Sequence, residues 1–290
     1  MFHILVSDPM SEEGLRPLLD SDDIVCVQRH VDEEENLEKY DALLVRSGTK
    51  VTEEVISKMP NLKIIARAGV GVDNIDIDAA TKRGVVVINA PDGNTISTCE
   101  HTFAMIASLA RMIPQANLSL REGKWERKKF LGMELYKKNL GIVGFGRIGS
   151  ELAKRARAFG MNLYVYDPFL TDERAKEFGV TPRTLDEVLE NADIITVHTP
   201  LTKETKGLIG AHNLNKTKKG VLIINCARGG IIDEQALYQY LESGHVAGAA
   251  FDVFENEPPG DHPLLQLDNF IATPHIAAST KEAQLNVASQ

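Results

Sequence analysis

Apolar residues along this chain come mostly in short continuous runs rather than in strict alternation. Residues 4–6, 24–27, 42–45, 63–66 and 85–88 form one series of such runs. Residues 139–143, 162–166, 194–197, 221–225, 246–249 and 270–272 form a second. Continuous β-branched runs predict parallel strands covered on both faces, since a strand with one wet face alternates instead. Helical patterns lie between them. Thr184-Leu185-Asp186-Glu187 reads as a capping box opening a helix that ends near Asn191, and Ser279-Thr280-Lys281-Glu282 opens another capped helix. Residues 97–120 read as a long helical stretch broken near Pro114. Strand–helix alternation of this kind predicts an α/β fold with parallel sheets and helical crossovers.

The first five strands form a small unit closed by the turn-rich Pro91-Asp92-Gly93-Asn94. The chain has 290 residues, 43% hydrophobic and 25% charged, which suits two domains, or one large α/β unit with an appendage, and a sizeable core. A formal charge of −9 argues against nucleic acid or an anionic membrane as a general partner, while a small anionic substrate needs only a local cluster of cations. No apolar run approaches the roughly 18 residues of a membrane span, and the opening MFHILVSDPM does not read as a signal peptide. The three cysteines, Cys26, Cys99 and Cys226, are far apart and in no metal-ligand spacing, so no metal site and a reducing cytoplasm are expected. Cys226 ends an apolar run and reads as a small buried residue rather than a reactive thiol.

The clearest chemical signal follows the strand at 139–143. Gly144-Phe145-Gly146-Arg147-Ile148-Gly149 leads directly into a helical pattern at 150–159. G-x-G-x-x-G alone is weak, but between a strand and a helix it gains meaning. The first glycine permits a tight turn, the second lets backbone approach a pyrophosphate, and the third lets helix pack on strand. The next strand ends in Asp167, where a carboxylate would accept hydrogen bonds from the adenosine ribose and repel the extra phosphate of NADP. The residues therefore predict a Rossmann-type domain that binds NAD.

Three further strand ends carry polar chemistry. The strand at 221–225 leads into Cys226-Ala227-Arg228-Gly229-Gly230. That at 246–249 leads on to Asp252-Val253-Phe254-Glu255-Asn256-Glu257, and that at 270–272 into Thr273-Pro274-His275. His198 also lies at a strand end and rivals His275 as a proton acceptor. Glu255 and Glu257 compete on charge alone.

Here the chain resembles the D-isomer-specific 2-hydroxy acid dehydrogenases. The likeness runs almost from end to end through VRSGTKV at 45–51, RAGVGVDN at 67–74, GFGRIG at 144–149, NCARGGIID from Asn225, DVFENEPP from Asp252 and TPHIAAST from Thr273. It implies two Rossmann-like domains, each a doubly wound parallel sheet, with a cleft between them. Residues 1–91, completed by 279–290, would be the substrate domain, and residues 92–278 the NAD-binding domain. Arg228 matches the family's substrate-binding arginine, His275 its acid/base and Glu257 the carboxylate that orients the ring. Formate dehydrogenases of the superfamily have glutamine at that last position, which argues against formate.

Gly144, Gly146, Arg147, Ile148, Gly149, Asp167, Thr199, Cys226, Arg228, Asp252 and His275 match cofactor-site positions. Asp252 is expected on the carboxamide side of the nicotinamide. Arg46, Ser47, Gly69, Val70, Gly71, Asn94 and Arg127 match substrate-site positions, the glycine loop through its backbone N–H groups. Gly123-Lys124-Trp125-Glu126-Arg127-Lys128-Lys129-Phe130 points within the family to members acting on D-3-phosphoglycerate, at the first step of serine biosynthesis. Arg46, Lys50, Arg67, Arg127 and Lys128 are candidates for holding its phosphate. The resemblance also implies a homodimer or higher homo-oligomer. The chain stops at Gln290, early for the family, so a piece of a longer protein is expected. Competing readings are a dehydrogenase for another D-2-hydroxy acid, such as hydroxypyruvate, glyoxylate or D-lactate, and an NAD-sensing corepressor on the same scaffold.

Overall fold

The computed structural model describes residues 1–290 and divides into two compact units, Met1–Ser97 with Ala278–Gln290, and Thr98–Ala277. The division lies a few residues past the turn at 91–94. The fold is α/β in both units.

In the first unit five parallel strands, β1 (Phe2–Val6), β2 (Ile24–Gln28), β3 (Ala42–Val45), β4 (Ile64–Arg67) and β5 (Val86–Asn89), pair in the order β2-β1-β3-β4-β5. β4 and β5 each begin one residue later than the apolar pattern suggests, a shift within the ordinary uncertainty of strand ends. Leu5, Leu43, Val45 and Ile65 share a core with Ile56 and Ala79 of the helices Glu53–Ser57 and Ile77–Lys82. Ile4, Val6 and Ala42 form a smaller cluster with Leu15 of the helix Glu12–Leu19. That helix meets the returning helix Lys281–Ser289 so closely that a Cβ on Gly14 would lie 2.3 Å from the Ala288 Cβ. Edge strand β5 leaves Val86 and Ile88 about half exposed.

The second unit has seven parallel strands, β6 (Asn139–Val143), β7 (Asn162–Tyr166), β8 (Thr181–Pro182), β9 (Ile194–Val197), β10 (Val221–Asn225), β11 (Val246–Phe251) and β12 (Phe270–Ala272), in the order β12-β11-β10-β9-β6-β7-β8. Two residues long and ending in proline, β8 carries no readable apolar run, and it can exist only because it is an edge. Every residue of β9 and β10 is buried, with Ile194, Leu222 and Ile224 in one core cluster and Ile195, Val197 and Ile223 in the other. Each such side chain contributes about 1.5–3 kcal/mol on burial.

The long helical stretch is two helices, Thr95–Ala110 and Ile113–Arg121. The break comes at Met112, whose backbone is left-handed (φ 50°), and Pro114 sits in the first turn of the second helix, where its missing N–H costs nothing. The capping box at Thr184 and Glu187 is present in full, and Thr280 caps the helix it was expected to open. In the strand order the chain runs outward one way from β6 and the other way from β9. Open parallel sheets bind ligands outside the carboxyl ends of strands at such a reversal.

Candidate active site

At that reversal β6 ends and the glycine loop begins. Gly144 has φ +97°, and a Cβ there would lie 2.7 Å from the His198 carbonyl, so only glycine fits. A Cβ on Gly149 would meet the Gly144 oxygen at 2.4 Å, which is the close helix–strand packing the third glycine allows. Gly146 faces open space. The helix Arg147–Ala158 starts at Gly146 without a side-chain cap, leaving first-turn N–H groups for a phosphate. Asp167, at the end of β7, accepts the N–H of Phe145 through Oδ2 (2.6 Å) and of Phe169 through Oδ1 (2.8 Å), holding the loop beside it.

Two buried polar atoms next to Gly144, Nδ1 of His198 and Oγ1 of Thr199, have no protein partner. Buried polar groups are seldom left so, and both suit a polar ligand in this cradle. The residues present thus fit a dinucleotide. His198 itself is a poor proton acceptor: burial pushes its ring down to about 4, and its Nε2 is paired with Thr196 Oγ1 at 2.9 Å.

The loop after β10 is shaped by Asn225, which is fully buried. Its Nδ2 donates to the Arg228 carbonyl (2.9 Å) and its Oδ1 accepts the Ala227 N–H (3.0 Å). A Cβ on Gly229 would fall 2.0 Å from the Phe254 backbone, so glycine lets the Arg228 loop press on the loop leading to Glu257. Arg228 Nη1 donates to the Ala227 carbonyl at 2.7 Å. Cys226 is buried, and burial pushes its thiol up to about 12, an inert group as its apolar surroundings suggest.

Glu257 and His275 meet. Glu257 Oε2 lies 2.6 Å from His275 Nδ1, and its Oε1 accepts the Phe254 N–H at 3.0 Å. Burial raises the Glu257 carboxyl, but the His275 ring and the Phe254 N–H outweigh it and hold the group below the ordinary carboxylate range. An ionised Glu257 can only accept, so Nδ1 of His275 carries the hydrogen and Nε2 carries the lone pair. No protein group bonds Nε2. His275 has φ +52°, sparsely populated for a residue with a Cβ, and its N–H closes a tight turn onto the Thr273 carbonyl (3.0 Å). Glu255 is turned elsewhere, toward Lys206 at 3.5 Å. Geometry therefore separates the two glutamates as charge alone could not.

The strained turn is held by Asp252, which is fully buried. Its Oδ1 accepts the Thr273 hydroxyl (2.5 Å) and the Ile276 N–H (2.9 Å), and its Oδ2 accepts the Ala277 N–H (2.9 Å). Burial alone would raise this carboxyl, yet His101, Thr273 and the two N–H groups bring it below its usual value. Asp252 thus spends both oxygens on the His275 loop. His101, on helix Thr95–Ala110, adds Nε2 at 3.1 Å from Thr273 Oγ1 and 3.4 Å from Asp252 Oδ1. Thr273 already donates to Asp252, so His101 donates to Thr273. Glu234 steadies the neighbouring loop, accepting the Glu255 N–H (2.7 Å) while paired with His262 (2.9 Å). Sequence reasoning missed His101, Glu234 and His262. None belongs to a motif, and only the packing of helices on strand ends brings them in.

The remaining candidates sit at strand ends of the first unit or on the basic segment of the second. Arg46 and Ser47 leave β3. Gly69, Val70 and Gly71 follow β4, with the Arg67 guanidinium folded against Gly69 and the Asn89 side chain donating to the Val70 carbonyl (2.6 Å). Asn94 keeps a buried, unpartnered Oδ1. Arg127 lies exposed on a single 3-10 turn, Arg127–Lys129.

The family model for the D-isomer specific 2-hydroxyacid dehydrogenase NAD binding domain matches residues 103–277, and the chain belongs to this family. Its second unit is that family's NAD-binding domain. Among curated proteins it is similar to the D-3-phosphoglycerate dehydrogenase of Bacillus subtilis, 68% identical over 291 residues, covering 100% of this chain and 55% of that protein. The chain thus spans about half the length of the curated relatives it matches. Among solved structures, the TT0316 protein from Thermus thermophilus superposes with a TM-score of 0.90 at 31% identity, covering 99% of this chain and 94% of that one. A D-lactate dehydrogenase from Aquifex aeolicus, complexed with NAD and lactic acid, gives 0.87 at 33% identity, covering 99% of this chain and 92% of its own.

Proposed function

We propose that this protein oxidises D-3-phosphoglycerate at C2 to 3-phosphohydroxypyruvate with NAD, the first step of serine biosynthesis. The observation that carries the chemistry is the 2.6 Å pair of Glu257 and His275, with Nε2 left open to a substrate. The choice of acid is supported by the 68% identity to the Bacillus subtilis protein of that name.

When bound, NAD supplies the hydride acceptor. Gly144, Gly146 and Gly149, with the backbone of Arg147 and Ile148, hold its pyrophosphate, and Asp167 accepts from its ribose. Thr199 and Cys226 serve the same cofactor. Arg228 pairs with the substrate carboxylate and polarises the C2 oxygen, a task suited to the planar fork of a guanidinium. His275 Nε2 takes the hydroxyl proton, and Glu257 stabilises the imidazolium that results. In the reverse direction the same nitrogen returns the proton. Backbone N–H groups of Val70 and Gly71 meet the carboxylate, Gly69 shaping the loop with its own N–H turned onto the Arg67 carbonyl (2.9 Å), while Arg46, Ser47, Asn94 and Arg127 serve the rest of the anion.

The protein works as a homodimer or higher oligomer. Ile113, Leu118 and Leu120, with Trp125 and Leu131 beyond them, expose apolar surface of the kind that marks an association face. A reducing cytoplasm suits three unpaired cysteines, and no helix is long and apolar enough to cross a membrane. NADH formation measured with a panel of D-2-hydroxy acids tests the reading. D-3-phosphoglycerate should be oxidised with the highest kcat/KM, and equal or better activity on D-lactate would sink the substrate assignment.

A further inference from the structure

Asp8, at the end of β1, is 6% exposed and spends both carboxylate oxygens on the loop leaving the neighbouring strand β3. Its Oδ2 accepts the N–H of Arg46 (2.5 Å) and of Thr49 (3.1 Å), and its Oδ1 accepts the Thr49 hydroxyl (3.0 Å). Asn74 holds the same loop by its carbonyls, Nδ2 donating to Arg46 (2.6 Å) and Thr49 (2.7 Å). Because the Thr49 hydrogen goes to Asp8, Ser7 must donate to Thr49 Oγ1 (2.8 Å), and Ser7 in turn accepts the Val31 N–H (2.9 Å). Gly48 makes the approach possible, since a Cβ there would stand 2.6 Å from Asp8 Oδ1.

The β1–β3 ladder, in register from Ile4 with Ala42 to Val6 with Leu44, ends before this clamp begins. The clamp therefore fixes the loop rather than the sheet. Loops normally leave such groups to water, and a loop this fully bonded is pre-shaped before any ligand arrives. Ser47 and Lys50 remain exposed.

We propose that Asp8 and Asn74 are positioning residues that hold residues 46–49 in the shape that receives the anionic substrate. This rests on the reading above that Arg46 and Ser47 contact it. The test is steady-state kinetics of the full chain carrying Asp8→Ala, Asp8→Asn, Asn74→Ala or Arg46→Ala, with amide exchange read at Arg46 and Thr49. Asp8→Ala should raise KM for D-3-phosphoglycerate by about ten- to a hundredfold, with KM for NAD and kcat within about twofold. Protection of the two amides should fall with it.

Asp8→Asn keeps an oxygen for both N–H groups and an amide donor for Thr49, so it should return KM to within about threefold of the parent. Should Asp8→Ala fail to fold, Asn74→Ala carries the same prediction. The proposal is overturned if both alanine variants leave KM unchanged while Arg46→Ala raises it, or if Asp8→Asn is as damaging as Asp8→Ala. If Arg46→Ala is silent too, the assignment of the loop to the substrate fails, and the proposal with it.

Discussion

Asp8 and Asp252 are two versions of one device. Each is a buried aspartate just past the end of a parallel strand, and each spends both oxygens on the loop leaving the adjacent strand. They differ in what the loop carries. The Asp8 loop is relaxed backbone presenting Arg46 and Ser47. The Asp252 loop holds His275 at φ +52°, a conformation that must be stabilised from outside. A loop that only receives an anion can tolerate small displacement. One that, on the proposed function, places an imidazole nitrogen for proton transfer cannot, because misplacement by about 1 Å can cost on the order of a hundredfold in rate.

That difference can be broken by experiment. Asp252→Ala strands the Thr273 hydroxyl and the N–H groups of Ile276 and Ala277. It should lower kcat by about a hundredfold and stability by about 3 kcal/mol. If it raised KM and left kcat intact, both loops would be doing the same job and the distinction would fall.

Acid should not loosen the His275 loop first, since Asp252 and Glu257 are both held below the ordinary carboxylate range. It should act through His198. A histidine lowered from 6.5 to about 4 stays neutral when folded, whereas the unfolded chain takes up the proton sooner. Stability is then complete above the unfolded value and is lost as pH falls from about 6.5 toward 4, by at most about 3 kcal/mol. Denaturant titrations at stepped pH check this, and a slope unchanged by His198→Asn would refute it.

Two smaller effects sharpen the picture of the catalytic loop. Glu257→Gln removes the charge that favours the protonated ring. Oxidation should slow by about tenfold or more. Unchanged turnover would mean the carboxylate does not bear on the base. His101→Asn removes one longer contact behind Asp252 and should reduce kcat only about two- to fivefold, with KM for both ligands unchanged. A large rise in KM for NAD would give His101 a different role.

The sequence made the fold legible where apolar runs are continuous, as in β9 and β10, and where end signals are chemical, as at Thr184 and Glu187. It was silent on β8, which is held by pairing with β7 rather than by burial. Within the site, Gly144 and Gly149 were readable because each role is fixed by local backbone geometry. Glu257 over Glu255 needed the family register, since both are glutamates in one loop and only the path of the chain points one at His275. The supports were not legible at all. His101 lies on a helix face and Glu234 begins another helix, and Asp8 looks like any polar residue after a strand. Their partners are distant in sequence, so only packing reveals them.

The proposed chemistry turns on His275 as the group that exchanges the substrate proton. Its most direct test is kcat for NAD-dependent oxidation of D-3-phosphoglycerate by His275→Ala, with the melting temperature measured alongside. A fall of about 10² to 10⁴ with an unchanged melting temperature is predicted, whereas turnover within a few-fold of the parent would contradict it.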